Sequence, residues 1–195
     1  MTDILIEMKK NTLRQQKTAQ TYLNLAQKYR SQGHYQKALN ALRVALRSDE
    51  TLAPAYHEQG LVYRKLGESK KAILAYQKAL KLNPKSAVTA LNLGICHLYL
   101  ENEPKALVYF KKAIAMKPHY AYAQFNLGSL YFDQGHYDLA IQHLKKAIHA
   151  DPALLASYEI CAMAYLVLGD KQKADELYQK SGKQKQEARL KYVVG

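Results

Sequence analysis

The stretch AYAQFNLGSLYFDQGHYDLAIQHLKKAIHADPAL, residues 121–154, decides the fold, because the rest of the chain consists of variants of it. When this stretch is moved back by 34 residues, Gly128 falls on Gly94 and Pro152 falls on Pro118. Five copies cover nearly the whole chain: 19–52, 53–86, 87–120, 121–154 and 155–188. A fixed period of this length is typical of solenoids, which stack small structural units in a row.

Each copy is predicted to form two helices joined by a short turn. Within residues 121–154, apolar residues recur at intervals of three or four, which is the spacing of one face of an α-helix. Gly135 separates two such runs. The first covers about 121–133, and the second carries Tyr137, Ala140, Ile141, Leu144, Ala147 and Ile148. Asp151-Pro152 ends the second helix, because proline disfavours helical geometry in the residue before it.

The glycines follow the same period. Seven of the nine occupy only two positions of the repeat: 33, 60, 67, 94, 128, 135 and 169. At the first position, represented by Gly128, the missing side chain is predicted to let two helices approach closely, and small residues such as Ala140 keep the facing helix thin. At the second position, represented by Gly135, glycine interrupts the helix. Since the architecture accounts for them, no glycine cluster remains to cradle a phosphate group.

Three copies depart from the common pattern. In the first copy, Asp49-Glu50 stands in place of a pair that ends in proline, so this turn must be closed by other means. The third copy has the sequence 101–104, Glu-Asn-Glu-Pro, where two others have Gln-Gly-His-Tyr, and Pro104 still fits the first turn of a helix. The last copy has Ala162 for glycine and no closing proline, as expected of a terminal repeat.

At this point the residues indicate a family. The period, the pairs Leu93-Gly94 and Leu127-Gly128, the alanines and the closing prolines resemble the tetratricopeptide repeat. Tyrosines occupy the tryptophan position and the later tyrosine position of that motif: Tyr22, Tyr56 and Tyr158 at the former, and Tyr29, Tyr63, Tyr131 and Tyr165 at the latter. The resemblance covers residues 19–188. It implies an all-α, right-handed solenoid of five antiparallel helix pairs with short capping segments at both ends.

Composition sets further bounds. Hydrophobic residues form 48% of the chain, which is enough to bury a continuous core. No apolar run approaches roughly 18 residues, so no membrane span is predicted. The start, MTDILIEMKK, lacks the basic leader of a secretory signal. Cys96 and Cys161 lie in non-adjacent copies and are predicted to be small core residues in a reducing compartment. We therefore expect a cytoplasmic protein.

The formal net charge of +13 has two alternative interpretations. Basic residues recur at neighbouring positions of the second helices: Arg43, Lys78, Lys111, Lys112, Lys145, Lys146 and Lys180. They form either an ordinary water-facing surface or a contact for an anionic partner. Modules that bind nucleic acid usually interleave such charges with stacking aromatics. Because packing positions account for most of the tyrosines, nucleic acid is not expected.

The two ends lie outside the regular pattern. Residues 1–18 are predicted to form a short helix that covers the first copy, or an extension of its first helix. A sharper hypothesis is that the apolar face with Ile4, Leu5 and Met8 docks into the groove of a second molecule. Residues 183–195 are predicted to be a C-terminal cap that overlaps the last copy and turns Ala188, Leu190 and Val193 inward.

No arrangement of residues predicts catalysis, a metal or a cofactor. His34 and His136 share one turn position, whereas His143 and His149 are six residues apart and point to different faces of a helix. Shared ligation from a helix needs a pair spaced i, i+4. His97 replaces a packing tyrosine and is predicted to be an interior residue with a hydrogen bond. Catalytic residues, metal ligands and cofactors are therefore all assigned as none.

The resemblance places the working surface on the first helices, which line a concave groove in that family. Asn24, Asn92 and Asn126 share one repeat position. They either form a ladder that bonds to the backbone of an extended guest, or simply contact water. The predicted peptide-binding residues are Asn24, His57, Leu61, Arg64, Val88, Leu91, Asn92, Ile95, Tyr122, Phe125, Asn126, Ser129 and Met163.

The predicted groove changes character along the chain. The first two copies supply a polar and mildly basic lining with Gln27, Arg30 and Glu58, which favours an acidic portion of the guest. The later copies supply apolar and aromatic side chains, which are typical binding anchors. The resemblance thus implies a non-catalytic scaffold that binds a peptide or helix of a partner. The alternatives are a basic adaptor that binds nucleic acid, acidic protein or a membrane surface, and a scaffold that assembles with copies of itself.

Overall fold

The computed structural model describes the backbone of residues 2–193 and the side chains of residue 4 and residues 6–182. Within these residues the chain is entirely helical. Ten helices follow one another: α1 (Thr2–Ser31), α2 (Tyr35–Ser48), α3 (Ala53–Lys65), α4 (Ser69–Leu82), α5 (Ala87–Leu98), α6 (Glu103–Met116), α7 (Ala121–Asp133), α8 (Tyr137–Ala150), α9 (Leu155–Val167) and α10 (Lys171–Val193). The predicted all-α class is confirmed.

The helix starts keep the period of the sequence. The even-numbered helices start at intervals of 34 residues, at Tyr35, Ser69, Glu103, Tyr137 and Lys171. From α3 onward the odd-numbered helices do the same, at Ala53, Ala87, Ala121 and Leu155. Each odd helix is the first helix of a predicted pair, and each even helix is the second. Connections this short return the chain beside the helix it has just left, as in an αα-hairpin.

The chain divides into two compact units after Asn102. In the first unit, α1 packs against α2 and α3, α3 packs against α4, and α4 packs against α5. Its core includes a cluster with Leu23, Leu42 and Val62, against which Tyr29 packs. Small buried alanines at regular positions keep the paired helices close: Ala26, Ala38, Ala45, Ala72 and Ala79.

The second unit contains α6 to α10. Here α7 packs against α6, α8 and α9, α8 packs against α9, and α9 packs against α10. Its largest fully buried side chains are Phe110, Leu127 and Leu144. These apolar residues recur where the sequence pattern placed one inward face per helix, so burial of that face stabilises each helix far more than its local propensity does.

Two glycines on first helices are required by close packing. A Cβ atom added to Gly60 would lie 2.5 Å from the Tyr76 ring. One added to Gly128 would lie 2.8 Å from Leu144 Cγ and 3.2 Å from the backbone oxygen of Ala140. The predicted close approach of paired helices is therefore confirmed at both positions.

The turns inside the helix pairs share one backbone conformation. One residue of each turn has a positive φ: 77° at Gly33, 76° at Gly67, 77° at Gly135 and 84° at Gly169, each two positions after its first helix, and 55° at Glu101, three positions after α5. In the fourth pair, the amide of His136 donates to the Tyr131 carbonyl at 2.8 Å, and that of Gly135 donates to Phe132. This pair of bonds is the Schellman ending of a helix. The third pair makes the same bonds although it has no glycine there.

The turns after the first, second and fourth pairs are closed by an Asp or Asn side chain, whereas Lys117 stands at that position after the third pair. In the fourth pair, Asp151 Oδ1 accepts the Ala153 amide at 3.0 Å. After the first pair, which lacks proline, Asp49 Oδ1 accepts both the amide of Thr51 at 2.9 Å and its hydroxyl at 2.7 Å. The first turn lacks the closing proline, and the carboxylate of Asp49 stabilises it instead.

The N-terminal segment continues the first helix. α1 runs without interruption from Thr2 to Ser31, and the described side chains before Ala19 are all exposed. These residues therefore cover no apolar surface of the first pair. At the other end α10 extends to Val193, but the predicted inward positions Ala188, Leu190 and Val193 lie outside the described side chains. Among the described residues, no helix combines the length and apolar character needed to cross a membrane.

Candidate functional site

The first helices of the first unit carry a polar surface, which we call the polar face and define by Gln27, Arg30, His57, Glu58, Arg64 and Val88. A cleft of about 200 Å³ opens on it and is lined by Gln27, His57 and Val88, among others. α1, α3 and α5 supply these residues at successive first-helix positions. Gln27, His57 and Glu58, which were predicted to line the groove, therefore line this cleft, and its use as a binding site stays a prediction.

A partly buried ion pair joins α1 to α3 on the polar face. The Nε–H of Arg30 donates to Oε1 of Glu58. The Glu58 side chain is 4% exposed and that of Arg30 is 29% exposed. A buried carboxylate needs such a partner, since an unpaired charge away from water is costly. Because the guanidinium has five N–H donors and remains partly open, it can also meet an anion from outside.

His57 lies beside these cations and is held by α5. Its Nδ1 is 2.9 Å from the Thr89 hydroxyl, which in turn is 2.7 Å from the Ser86 hydroxyl. Burial, followed by the charges of Arg30 and Arg64, lowers the pKa of His57 from 6.5 to about 4. The imidazole is therefore neutral near pH 7. The same local positive charge that opposes its protonation favours a carboxylate at the surface of this cleft.

Several predicted binding residues of the first unit are less open than expected. Leu91 is 5% exposed and Asn92 is 7% exposed, so the prediction that both are open on the groove surface is wrong. The cause is α5 itself, which contains no Asp, Glu, Lys or Arg and buries eight residues, including Leu91 and Asn92. A helix that is apolar on most sides is covered on most sides. Leu61, Arg64 and Ile95 are partly buried, and Val88 is exposed.

The second unit carries a different surface, which we call the aromatic face and define by Tyr122, Phe125, Asn126 and Ser129 on α7 and Met163 on α9. The four α7 residues are spaced i, i+3, i+4 and i+7, so they share one side of the helix. Tyr122 is 51% exposed and Met163 is 44% exposed. Phe125, Asn126 and Ser129 are partly buried. The aromatic side chains predicted for the later copies therefore reach an accessible surface within this unit.

The three equivalent asparagines all bond within their own helices. Nδ2 of Asn126 donates to the Tyr122 carbonyl at 2.7 Å, and Nδ2 of Asn92 donates to the Val88 carbonyl at 3.0 Å. Oδ1 of Asn24, which is exposed, accepts from Gln20 at 2.9 Å. The amide groups are thus partly satisfied before any guest arrives. The proposed ladder stays a prediction, and burial limits the contribution that Asn92 can make to it.

The second-helix lysines whose side chains the structure describes are exposed, as both interpretations of the charge require. Several of them also pack over tyrosine rings of first helices. The Nζ to ring-centroid distances are 5.7 Å for Lys78 and Tyr56, 6.0 Å for Lys111 and Tyr131, and 5.4 Å for Lys145 and Tyr165. Cations at these distances are attracted by the ring face. Part of the basic surface is therefore explained by the packing of the repeats.

A hollow that the sequence analysis did not predict opens on the second-helix side of the second unit. It has a volume of about 430 Å³ and is lined by Ile114, Pro118, His119, Gln124, Lys145, Lys146 and His149. We call it the Gln124 hollow. The signal that could have revealed it is Gln124 itself, which stands where three other copies have tyrosine.

The two cysteines are interior residues. Cys96 and Cys161 are free thiols with 0% exposure. Burial raises the pKa of each thiol to about 11. A reactive cysteine needs an accessible thiolate, and both conditions are missing here. The prediction that these are small core residues is confirmed, as is the interior position of His97, which is 6% exposed.

Comparison with known families agrees with the geometry. Models of the tetratricopeptide repeat match residues 18–48, 53–86 and 91–154. No protein with a curated description matches the chain. Proteins of this family are protein-interaction scaffolds, some of which bind peptides.

Solved structures show the same fold. A crystal structure of MamA matches with a TM-score of 0.76 and 25% identity over 85% of this chain and 96% of that one. PilW, a type IV pilus biogenesis factor, matches with a TM-score of 0.76 and 26% identity over 86% and 78% of the two chains. YrrB, described as a TPR protein with an unusual peptide-binding site, has a TM-score of 0.67 and 24% identity, with 89% of each chain covered. The repeats, the turns and these matches together show that the chain belongs to the tetratricopeptide repeat family.

Proposed function

We propose that the chain is a non-catalytic scaffold that binds a peptide or helix of a partner protein on its first-helix faces. The observation that carries this proposal is the aromatic face, on which Tyr122 and Met163 are about half exposed and Phe125 is partly exposed. Exposed apolar clusters with a polar surround usually mark interaction sites, and aromatic residues are frequent binding anchors. The two cysteines are free thiols, which supports a reducing compartment, and hence the cytoplasm, as the proposed location.

The polar face suggests the character of a second segment of the guest. Arg30 and Glu58 balance each other in formal charge, and Arg64 adds a further guanidinium. Since His57 is neutral near pH 7, the local charge is positive. An acidic side chain of the guest would therefore be attracted to this cleft, whereas the aromatic face would take aliphatic or aromatic side chains.

The test uses affinity capture with a matched control. The double variant Tyr122→Ala, Met163→Ala removes two exposed anchors, so it should fold normally but lose a partner captured by the native chain. The control Leu74→Ala, Val108→Ala removes two side chains that are 67% and 61% exposed on second helices. It should keep that partner. Equal capture by both variants would refute the assignment of the aromatic face, and Arg64→Gln should selectively weaken partners with acidic segments.

The exposed lysines favour a second candidate function, a basic adaptor for acidic protein, nucleic acid or a membrane surface. Lys112 and Lys146 belong to this exposed stripe. The two functions are distinguished by measuring partner affinity at increasing salt concentration. Binding to phosphates weakens steeply as ionic strength rises, whereas binding through apolar contacts responds little.

Self-assembly is favoured by a different observation. The described apolar side chains near the start of α1 are exposed, with Ile4 at 68%, Met8 at 64% and Leu13 at 55%. If they dock on a second copy, the truncated chain 19–195 should show a lower oligomeric state in sedimentation equilibrium than the full chain. An unchanged oligomeric state would exclude this role for the segment.

A further inference from the structure

The Gln124 hollow becomes informative when the repeats are compared with one another. Gln124 occupies the repeat position of Tyr56, and Lys146 occupies that of Lys78. In the first unit, Nζ of Lys78 lies 5.7 Å from the centroid of the Tyr56 ring. In the fourth copy, Lys146 is present but the aromatic ring is replaced by the Gln124 side chain. The hollow of about 430 Å³ adjoins both Gln124 and Lys146.

Gln124 is fixed in place and is 3% exposed. Its Nε2 donates to the Pro118 carbonyl at 2.9 Å, and its Oε1 lies 2.7 Å from Nδ1 of His143. Because Oε1 can only accept, Nδ1 of His143 carries the proton. The His143 ring stacks on Tyr131 at 5.6 Å between centroids. Because both the oxygen and the nitrogen of its amide are hydrogen-bonded, the Gln124 side chain is held at the wall and does not fill the hollow.

The lining combines apolar surface with positive charge. Ile114 and Pro118 contribute apolar wall, and Lys145 and Lys146 also line the hollow, with Nζ of Lys145 5.4 Å from the Tyr165 ring centroid. His119 and His149 add ring nitrogens that can form hydrogen bonds. None of the described residues that line the hollow is acidic. The volume is within the range of sites that bind small molecules or single side chains.

We propose that the Gln124 hollow binds an aromatic oxyanion, a ring that carries a carboxylate or a phosphate. The ring takes the place of the tyrosine that other copies provide, against Ile114 and beneath Lys146, where it regains the contact that Tyr56 makes with Lys78. The oxyanion meets the two ammonium groups. Such a ligand is either a free aromatic acid or ester, or the aromatic residue that ends a peptide. This site lies on the second-helix side and does not depend on the proposed role of the first-helix faces.

The experiment titrates phenyl phosphate into ¹⁵N-labelled full-length protein and follows amide chemical shifts by NMR. We expect saturable shifts centred on residues 119–124 and 145–149. The variant Gln124→Tyr supplies the ring internally, so it should bind about tenfold more weakly, as should Lys146→Gln, which removes the cation above the ring. The matched control Lys78→Gln alters the equivalent lysine of the first unit and should bind like the native chain. Inorganic phosphate should also bind about tenfold more weakly than phenyl phosphate.

A pentapeptide that ends in phenylalanine distinguishes the two sources of the ligand. Tighter binding of the pentapeptide assigns the hollow to a peptide end, and tighter binding of phenyl phosphate assigns it to a free aromatic ester. Circular dichroism checks that Gln124→Tyr is folded. If this variant is unfolded, the proposal is tested instead by comparing the affinities of Lys146→Gln and Lys78→Gln for phenyl phosphate. The proposal is overturned if neither probe saturates, if inorganic phosphate binds as tightly as phenyl phosphate, or if Lys146→Gln and Lys78→Gln bind equally.

Discussion

His57 shows how one residue of the polar face couples charge to stability. Burial, and then Arg30 and Arg64, lower its pKa from the ordinary value of 6.5 to about 4. The folded protein therefore prefers the neutral imidazole, while the unfolded chain takes up a proton as the pH falls through 6.5. Stability from this group is complete above pH 6.5 and is lost progressively between pH 6.5 and 4.

The resulting prediction is that acid destabilises the native protein more than a His57→Gln variant. The full shift corresponds to roughly 3 kcal/mol of unfolding free energy, an upper limit for a group that keeps some contact with water. Glutamine does not titrate and can still bond to Thr89. Urea unfolding at pH 7.5, 6.0 and 4.5 measures the difference. Parallel losses of stability in the two proteins would contradict the assignment.

A second prediction at the scale of the residue compares two helical glycines. Gly128→Ala should destabilise the protein by about 1 to 3 kcal/mol, because its Cβ would press on Leu144 and on backbone. Gly182→Ala should stabilise α10 by about 0.5 to 1 kcal/mol, because nothing lies within 4 Å of its added Cβ. Urea unfolding of both variants checks this. If the unfolding free energies of both variants changed in the same direction, lack of space for a side chain would not be the reason for glycine at position 128.

At the scale of the element, the turn after α5 is the one described turn of its kind without glycine. Glu101 has a φ of 55°, in the left-handed region that costs most residues about 1 to 2 kcal/mol. Glu101→Gly should therefore stabilise the protein by about 1 kcal/mol. Gly135→Ala, at the equivalent position with open space around its added Cβ, should destabilise it by a similar amount. Chemical denaturation measures both, and an unstable Glu101→Gly variant would mean that the glutamate side chain has a role of its own.

The first helix provides another prediction at this scale. All described side chains before Ala19 are exposed, whereas Ala19 and Leu23 are buried. Deletion of residues 1–17 should change the free energy of unfolding by less than about 1 kcal/mol, since surface changes away from packed features are nearly neutral. Deletion of residues 1–24, which removes Ala19 and Leu23, is the control and should be clearly destabilising. Denaturant midpoints compare the three chains.

At the scale of the whole molecule, the net charge of +13 governs association with polyanions. We expect weak binding of random-sequence duplex DNA that falls more than about tenfold between 50 and 200 mM salt. The affinity for DNA should fall further in a triple variant that combines Lys111→Gln, Lys112→Gln and Lys146→Gln. The variant Tyr122→Ala should leave this affinity unchanged. Fluorescence anisotropy measures this. An affinity for DNA that the three lysine substitutions leave unchanged would show that the exposed lysines are not the contact.

Periodicity made the helix pairs and their turns predictable. Gly135, Pro152 and Gly128 act through local geometry or through one neighbouring helix, so their positions in the sequence predict their structural roles. The burial of Leu91 and Asn92 was not predictable in this way, because it depends on what surrounds α5 on several sides. The pairing of Arg30 with Glu58 was equally hidden, since it depends on how α1 packs beside α3.

The sequence alone determined the all-α class, the repeat, the family and the division of faces between first and second helices, because a period of 34 residues repeats the same short-range interactions. The tertiary structure decided which of those side chains stay open. In the folded chain Asn92 is buried, Tyr122 is half exposed and a hollow lies beside Gln124. Exposure depends on the volumes of neighbours that are distant in sequence, and a repeat pattern records position but not the space that neighbouring side chains leave unfilled.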